Sequence, residues 1–294
     1  MLDLLKLTDL FLWAIITAIS VYALVLLRTV PYTGTRSYFT VQLLAIIIGY
    51  VGAIVLTLFD YRDLSSLWWL AAGVSILLLI FSLFAGVGLQ SGGGMDTKAW
   101  IQFPGIGLTF QTSELVKIVF IVTYAKHLSA IKERGLLNHP LHVVLLGLHA
   151  LFPVGWMVLI QKDMGSAVVF FFMFLVMSFT AGVKLRWFAA IFALLAVALP
   201  LAWNYGLIRE YQKTRLTSFL HLEDDPTGTG WQQIQGRISI GSGQMFGRGL
   251  GTAPRVQKSV VSIQESDYIF SVAAESLWFV GCCLLMLLLF ALLL

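Results

Sequence analysis

Asp267, Ser271 and Glu275 recur at i, i+4 and i+8, a spacing that lines them along one face of a helix. Glu275 would then sit about two turns into that helix, with Asp267 at its start. A carboxylate at a helix start is often a cap that complements the dipole. Held at a polar boundary, it could also take a proton from a substrate hydroxyl. Glu114 and Lys117 lie three residues apart on one helix face, where they could neutralise each other in an apolar setting. Asp163 stands in the tight turn Gln161-Lys-Asp-Met-Gly165, where it could cap the next helix or face a ligand. Arg215, Arg237 and Arg248 bring positive charge to one segment, and the run from Gly236 to Gly251 packs six glycines around the last two. Glycine-dense backbone can turn several N–H groups toward one anion. The run fits neither the Walker nor the Rossmann spacing and follows no strand, which argues against a nucleotide. A flexible surface loop is the plainer reading.

The elements that must position these groups are apolar. Of 294 residues, 59% are hydrophobic and only 12% charged, about half the ~25% usual for globular domains. So few charges cannot cover a water-soluble protein of this size, so most of the chain must lie in lipid. The net charge of +4, from 19 Lys and Arg against 15 Asp and Glu, is what positive-inside loops give and leaves no nucleic-acid footprint. Cys282 and Cys283 are adjacent, and form neither a disulfide framework nor a spaced zinc site. A soluble enzyme, a secreted stapled domain and a DNA-binding protein are excluded.

A helix needs about 20 apolar residues to cross the hydrocarbon core. Eight such runs stand out: Leu10–Leu27, Tyr38–Phe59, Leu67–Val87, Ser113–Leu128, Leu141–Ile160, Met164–Ala181, Trp187–Trp203 and Tyr268–Leu294. The expected fold is therefore all-α, a polytopic membrane helix bundle in a single integral membrane domain, 1–294. The fourth run is the weakest, being short and carrying Glu114 and Lys117. The first ends at Arg28 without a small-x-small cleavage site, and reads as a retained helix rather than a secretory signal. The last reaches Leu294 with no polar flank, as though more protein should follow.

Placing the N-terminus in the cytoplasm puts Lys6, Arg62, Lys126, Lys132, Arg134, Lys184 and Arg186 inside and leaves Arg28, Arg36, Lys98 and Lys162 in short outer loops. The segment 205–267 is then a large extracytoplasmic loop between the seventh and eighth helices. It opens with Tyr211 to Leu220, bases mixed with apolar residues as in an interfacial helix. The turn signature Asp225-Pro-Thr-Gly-Thr-Gly230-Trp-Gln comes next, and the glycine run follows. On this orientation Glu114, Lys117, Asp163, Arg215, Arg237, Arg248 and Asp267 all fall near the outer membrane face.

Taken in order, these motifs resemble the shape, elongation, division and sporulation family of bacterial membrane proteins (RodA, FtsW and SpoVE). Asp60-Tyr61 with Leu64 resembles its second-loop signature. Lys98-Ala-Trp-Ile101 and then Phe110-Gln-Thr-Ser-Glu-Leu-Val-Lys117 are similar to its tryptophan and FQPSEL-x-K motifs. Gln161 to Gly165 resembles its Q-P-D-x-G turn. The block from Tyr211 to Gly249 is similar in order and spacing, and Ser266-Asp-Tyr-Ile-Phe270 with Glu275 resembles T-D-F-I-F and the glutamate of the eighth helix. Thr112 and Lys162 replace prolines, Ser262-Ile-Gln-Glu265 replaces P-E-x-H/Q, and Trp278 stands where a glycine is usual. The family has ten spanning helices, and this chain stops in the eighth.

The resemblance implies a peptidoglycan glycosyltransferase that polymerises lipid II at the outer face of the bacterial cytoplasmic membrane. The 4-hydroxyl of an incoming N-acetylglucosamine would attack the anomeric carbon of an undecaprenyl-linked glycan, invert it and release undecaprenyl pyrophosphate. Asp267, partly desolvated at the membrane boundary, would be the general base. Arg215, Arg237, Arg248 and Lys117 would offset the pyrophosphate charge, and a Mg²⁺ or Mn²⁺ ion could assist, although no carboxylate cluster marks a metal site. Glu114 and Asp163 would shape the floor of the substrate site or serve structure alone. The implied partner is a class B penicillin-binding transpeptidase, with lipid II and the membrane, and no nucleic acid. A lipid II flippase and a non-catalytic scaffold are the alternatives. A transporter would place its polar groups near the midplane in repeated halves, and here they crowd one end with no visible repeat.

Overall fold

A computed structural model describes residues 9–32, 37–59, 66–86, 99–102, 109–206, 208, 213, 229–245 and 247–294. The helices are α1 (Leu10–Leu27), α2 (Tyr38–Thr57), α3 (Trp68–Ala85), α4 (Thr112–Glu133), α5 (Pro140–Trp156), α6 (Met164–Ala181), α7 (Leu185–Asn204), α8 (Thr229–Ser242), α9 (Pro254–Gln257) and α10 (Ile269–Leu293). Among the described residues, seven helices are long and apolar enough to cross a membrane. The expected span not among them is the fourth, α4. Its 22 residues give a length of about 33 Å, but its charges confine the apolar stretch to the middle. It runs five residues past the expected end, because the charged last turn continues the helix, Lys132 complementing its C-terminal dipole, where an apolar reading stops.

The all-α expectation holds, with one small addition. Trp100–Gln102 (β1) and Thr109–Gln111 (β2) form a two-stranded antiparallel pair, with Trp100 opposite Gln111 and Gln102 opposite Thr109. Pairing this short carries no alternating apolar signal, so the sequence reading passed over it.

The chain divides into two compact units. One comprises α1, α2, α8, α9 and α10; the other comprises α3, the strand pair and α4 to α7. In the second unit, α4 buries Val116, Phe120, Tyr124, Leu128 and Ile131 on one stripe, the 3.6-residue period of a helix packed on one face. Phe120 meets Phe170 of α6 edge to face, with centroids 5.5 Å apart, and the Tyr124 hydroxyl lies 2.7 Å from Ser178 Oγ. The Nδ1 atoms of His127 and His149 sit 3.1 Å apart, tying α4 to α5. Within the bilayer such polar contacts and close packing supply what the hydrophobic effect does in water.

Pro153 interrupts the hydrogen-bond ladder of α5, which widens into a π-helical turn at Met157–Gln161. Lys162 then adopts the left-handed conformation, φ 56°, and the chain re-enters helix at Met164.

In the first unit, α10 packs against α1 and α8 around Leu26, Val256, Val272, Ala273 and Ala274. The glycine run expected as a surface loop is helical as far as Ser242. Its glycines serve close approach: a Cβ on Gly236 would meet the Tyr268 ring at 3.0 Å, and one on Gly243 would lie 2.0 Å from the Ala274 carbonyl oxygen. Gly236 lies within α8 and Gly243 just past its end, and at both the missing side chain lets the segment come close to Tyr268 and to the α10 backbone.

Trp278, inside α10, has φ 77° and ψ 176°, a region that only glycine occupies readily. The family resemblance places a glycine at this position, and the backbone has kept the glycine conformation. Such a residue stores about 1–3 kcal/mol of strain. The indole, 42% exposed and laid over Gly247, recovers part of that by packing. Trp278→Gly is therefore expected to stabilise the protein by about 1 kcal/mol, seen as a higher thermal midpoint in detergent. A lower midpoint would contradict the strain argument.

Candidate functional site

The polar groups singled out in the sequence divide between the two units, and each set gathers where helices begin.

In the second unit the start of α4 lies beside the start of α6. Lys117 Nζ bonds Glu114 Oε1 at 2.7 Å, with the lysine side chain 21% and the glutamate 55% exposed. The expected i, i+3 neutralising pair is present, so Lys117 already has an anionic partner. Asp163 caps α6: Oδ1 accepts from the Ser166 N–H at 3.0 Å. Its Oδ2 accepts from Gln111 Nε2 at 2.8 Å and from Ser166 Oγ at 2.7 Å. Both carboxylate oxygens are thus engaged, in the capping role that was one of its two sequence readings. Asp163→Ala is expected to cost about 1–2 kcal/mol of stability through the lost cap and side-chain bonds, measured as a drop in thermal midpoint. An unchanged midpoint with weakened substrate binding would favour a ligand-facing role instead.

Gln161 was read only as part of this turn. The π-helical turn aims it into the unit, where it is fully buried. Its Nε2 donates to Ser82 Oγ at 3.2 Å and to Thr112 Oγ1 at 3.0 Å, joining α3, α4 and α5 at one level. Thr112 occupies the position of a motif proline and uses its freed N–H to bond the Ala99 carbonyl at 3.2 Å.

In the first unit, Asp267 lies in the turn before α10, two residues ahead of Ile269. Tyr268 is the N-cap residue of α10 and makes no side-chain cap bond. Asp267 is therefore not the first member of a helical face shared with Ser271 and Glu275, as the spacing had suggested, because helical geometry starts beyond it. It is exposed among the protein's own atoms, and its Oδ1 accepts from Ser266 Oγ at 3.3 Å. Its neighbour Tyr268 is half-buried against Gly236, and burial together with the Asp267 charge pushes the Tyr268 phenol up.

The Gly236–Tyr268 contact brings the chain positions of Arg237 and Asp267 to the same end of the α8–α10 crossing, each one residue from it. Arg237 is exposed there. Arg248 is not at that level. Its N–H donates to the Glu275 carbonyl at 2.9 Å, about 9 Å along α10 from Ile269. Its Nε donates to the Ser242 carbonyl at 3.0 Å, closing the C-terminus of α8. Gly247, Gly249 and Gly251, all at positive φ, shape the turn around it, but the N–H groups of Gly247 and Arg248 are already bonded. Those two N–H groups are therefore already spoken for. Arg215 lies outside the described residues, as do residues 225–228 of the turn signature and the expected second-loop motif at Asp60, Tyr61 and Leu64.

The sequence reading missed Arg255. Its guanidinium bonds Ser239 Oγ through Nε at 2.9 Å and Gln235 through Nη2, and its N–H donates to Glu275 Oε1 at 2.9 Å. Nothing in a glycine-rich, aperiodic segment distinguishes a half-buried, hydrogen-bonded arginine from a solvated one. Among the described residues, no three His, Cys, Asp or Glu side chains converge in one cluster.

Seven helices long and apolar enough to cross a membrane, among the described residues, define a multi-pass membrane protein. A family model described as cell cycle protein, that of FtsW, RodA and SpoVE, matches residues 3–294, and the chain belongs to that family. It is 34% identical over 252 residues to a probable peptidoglycan glycosyltransferase FtsW of Trichlorobacter lovleyi, covering 82% of this chain and 60% of the relative. Against the same-named protein of Thioalkalivibrio sulfidiphilus it is 34% identical over 75% of this chain and 54% of the relative. The chain thus spans about 60% or less of the length of these two relatives. Among solved structures it is similar to a chain of a peptidoglycan synthase complex that coordinates polymerization and crosslinking. That match has a TM-score of 0.75 and 28% identity, over 97% of this chain and 76% of the other. It is also similar to the rod shape determining protein RodA of Thermus thermophilus, with a TM-score of 0.63 and 25% identity over 97% and 72%. These relatives place the protein in the bacterial inner membrane.

Proposed function

We propose that this protein polymerises glycan strands from lipid II by an inverting glycosyl transfer, with Asp267 as general base. The carrying observation is an exposed carboxylate just ahead of a membrane helix, on a turn pinned by the Gly236–Tyr268 contact, with Arg237 at the same level. The acceptor's 4-hydroxyl forms the new C–O bond at the anomeric carbon as the bond to pyrophosphate breaks. Its proton passes to Asp267, and the charge gathers on the departing undecaprenyl pyrophosphate. Arg237 is the cation best placed to receive that charge. Arg248 is committed to Ser242, which leaves it the lesser part, and Lys117 is paired with Glu114 in the other unit. On this reading the N-terminus is cytoplasmic and Asp267 faces the extracytoplasmic side, where lipid II sugars and a class B penicillin-binding transpeptidase would be met.

The test is the purified chain reconstituted with lipid II, with and without its transpeptidase, and products resolved by gel. A ladder of glycan chains is expected. Translocation of lipid II across vesicles without polymer would replace this reading by the flippase. Polymer that forms equally well without this chain would reduce it to a scaffold.

A further inference from the structure

We infer that Glu275, with Arg255, is a positioning residue that holds the Asp267 turn in place from two turns below, an inference that rests on the reading of Asp267 as base. Glu275 is 0% exposed. Its Oε1 accepts from the Arg255 N–H, and its own carbonyl accepts from the Arg248 N–H, both at 2.9 Å. A single residue of α10 thereby fixes two points of the segment that runs back to Asp267.

From Arg255 the support spreads in two directions. The guanidinium crosses to Ser239 and Gln235 of α8, clamping α8 against the segment. Along the chain, Val256 lies in the core beside Val272, and its carbonyl accepts from Nε2 of the buried Gln264 at 3.1 Å. Gln264 lies one residue beyond Ile263, whose carbonyl accepts from the N–H groups of Ser266 and Tyr268 at 3.2 and 3.4 Å. Those two residues flank Asp267. Gln257 Nε2 adds a tie to the Thr29 carbonyl beyond the end of α1 at 2.8 Å. An unbroken series of short contacts therefore joins the buried carboxylate to the exposed one.

Packing alone does not account for Glu275. Its Oε2 is buried without a partner, and the crevice it shares with Ser239, Val261, Gln264 and Ser271 is too narrow for a water molecule. A buried carboxylate oxygen left unpaired is costly, and an apolar residue of similar size would fill the same space at no such cost. What an apolar residue could not do is accept the Arg255 N–H. Misplacement of a catalytic group by about 1 Å can cost on the order of 100-fold in rate, so this acceptor acts on kcat rather than on substrate affinity.

The experiment measures initial polymerisation rates of the full chain against lipid II concentration for wild type, Glu275→Ala, Glu275→Gln, Arg255→Ala and Asp267→Asn. Glu275→Ala is expected to lower kcat on the order of 100-fold with KM held within about threefold. Glu275→Gln keeps an oxygen for the Arg255 N–H and is expected to recover to within about threefold of wild type. Arg255→Ala keeps the main-chain bond and loses the clamp to α8, and should fall between them. An unchanged kcat in Glu275→Ala overturns the inference, as does a raised KM alone or a glutamine variant as inactive as the alanine one. If Glu275→Ala does not fold, Arg255→Ala decides, and an unchanged kcat there overturns it. Asp267→Asn separates the two levels. If it is inactive while Glu275→Ala is normal, only the positioning role fails. If it polymerises normally, the base assignment fails and this inference goes with it.

Discussion

Asp267→Asn is expected to abolish glycan polymerisation by the reconstituted protein while leaving the fold intact. The substitution keeps size and shape and removes the ability to take a proton. A positioned general base contributes about 10²–10⁴-fold to rate, which lies beyond the reach of a gel-based polymer assay when lost. The structural cost is small because Asp267 is exposed and its Ser266 contact is long, at 3.3 Å. An exposed site of this kind changes stability by about 0.5 kcal/mol or less. The Ser266 hydroxyl can donate to the asparagine oxygen as it does to the carboxylate. Loss of activity with an unchanged thermal midpoint is thus the expected pair of results. A variant that keeps more than about a tenth of wild-type rate would remove Asp267 from the role of base.

How far such residues can be read from sequence depends on whether their neighbours leave a periodic trace. Spans Leu10–Leu27 and Met164–Ala181 coincide with α1 and α6, because Asp9 and Asp163 cap their starts with side-chain bonds. Hydropathy and capping there point to the same residues. The end of α4 was placed too early because its last turns carry charge, which a hydropathy reading treats as loop. The Glu114–Lys117 pair was legible because helix geometry alone brings i and i+3 together. Asp163's partner Gln111 was not, since it arrives from a strand 52 residues away in sequence. Arg255 was invisible for the same reason, its value resting on Ser239, Gln235 and Glu275 in other elements. Trp278 lies between these cases. Its departure from the family's glycine was visible, but the cost of that departure appears only in the backbone angles.

The glycines of α8 were the clearest misreading, and they carry the second large expectation. Gly243→Ala is expected to destabilise the protein by about 3 kcal/mol or more, at the upper end of overpacking effects. The added Cβ would lie 2.0 Å from the Ala274 carbonyl oxygen, 2.9 Å from its carbonyl carbon and 3.1 Å from Glu275 Cα. All three obstacles are backbone, so no rotamer change relieves them. The helices must part by roughly 1 Å before ordinary contact returns, and dispersion attraction falls steeply over such a gap. Separation also strains the Gly247 N–H bond to the Gly243 carbonyl, 2.7 Å, and the Arg255 clamp onto Ser239. Polymerisation should therefore fall together with the thermal midpoint, unlike in Asp267→Asn. Gly241→Ala, two residues earlier and inside α8, is the matched control. A Cβ there meets nothing within 4 Å, and helix propensity alone predicts a gain of about 0.5–1 kcal/mol. Opposite shifts in the two midpoints are expected. Equal shifts would mean that Gly243 is tolerated as an ordinary loop glycine and that α8 does not seat against α10 through it.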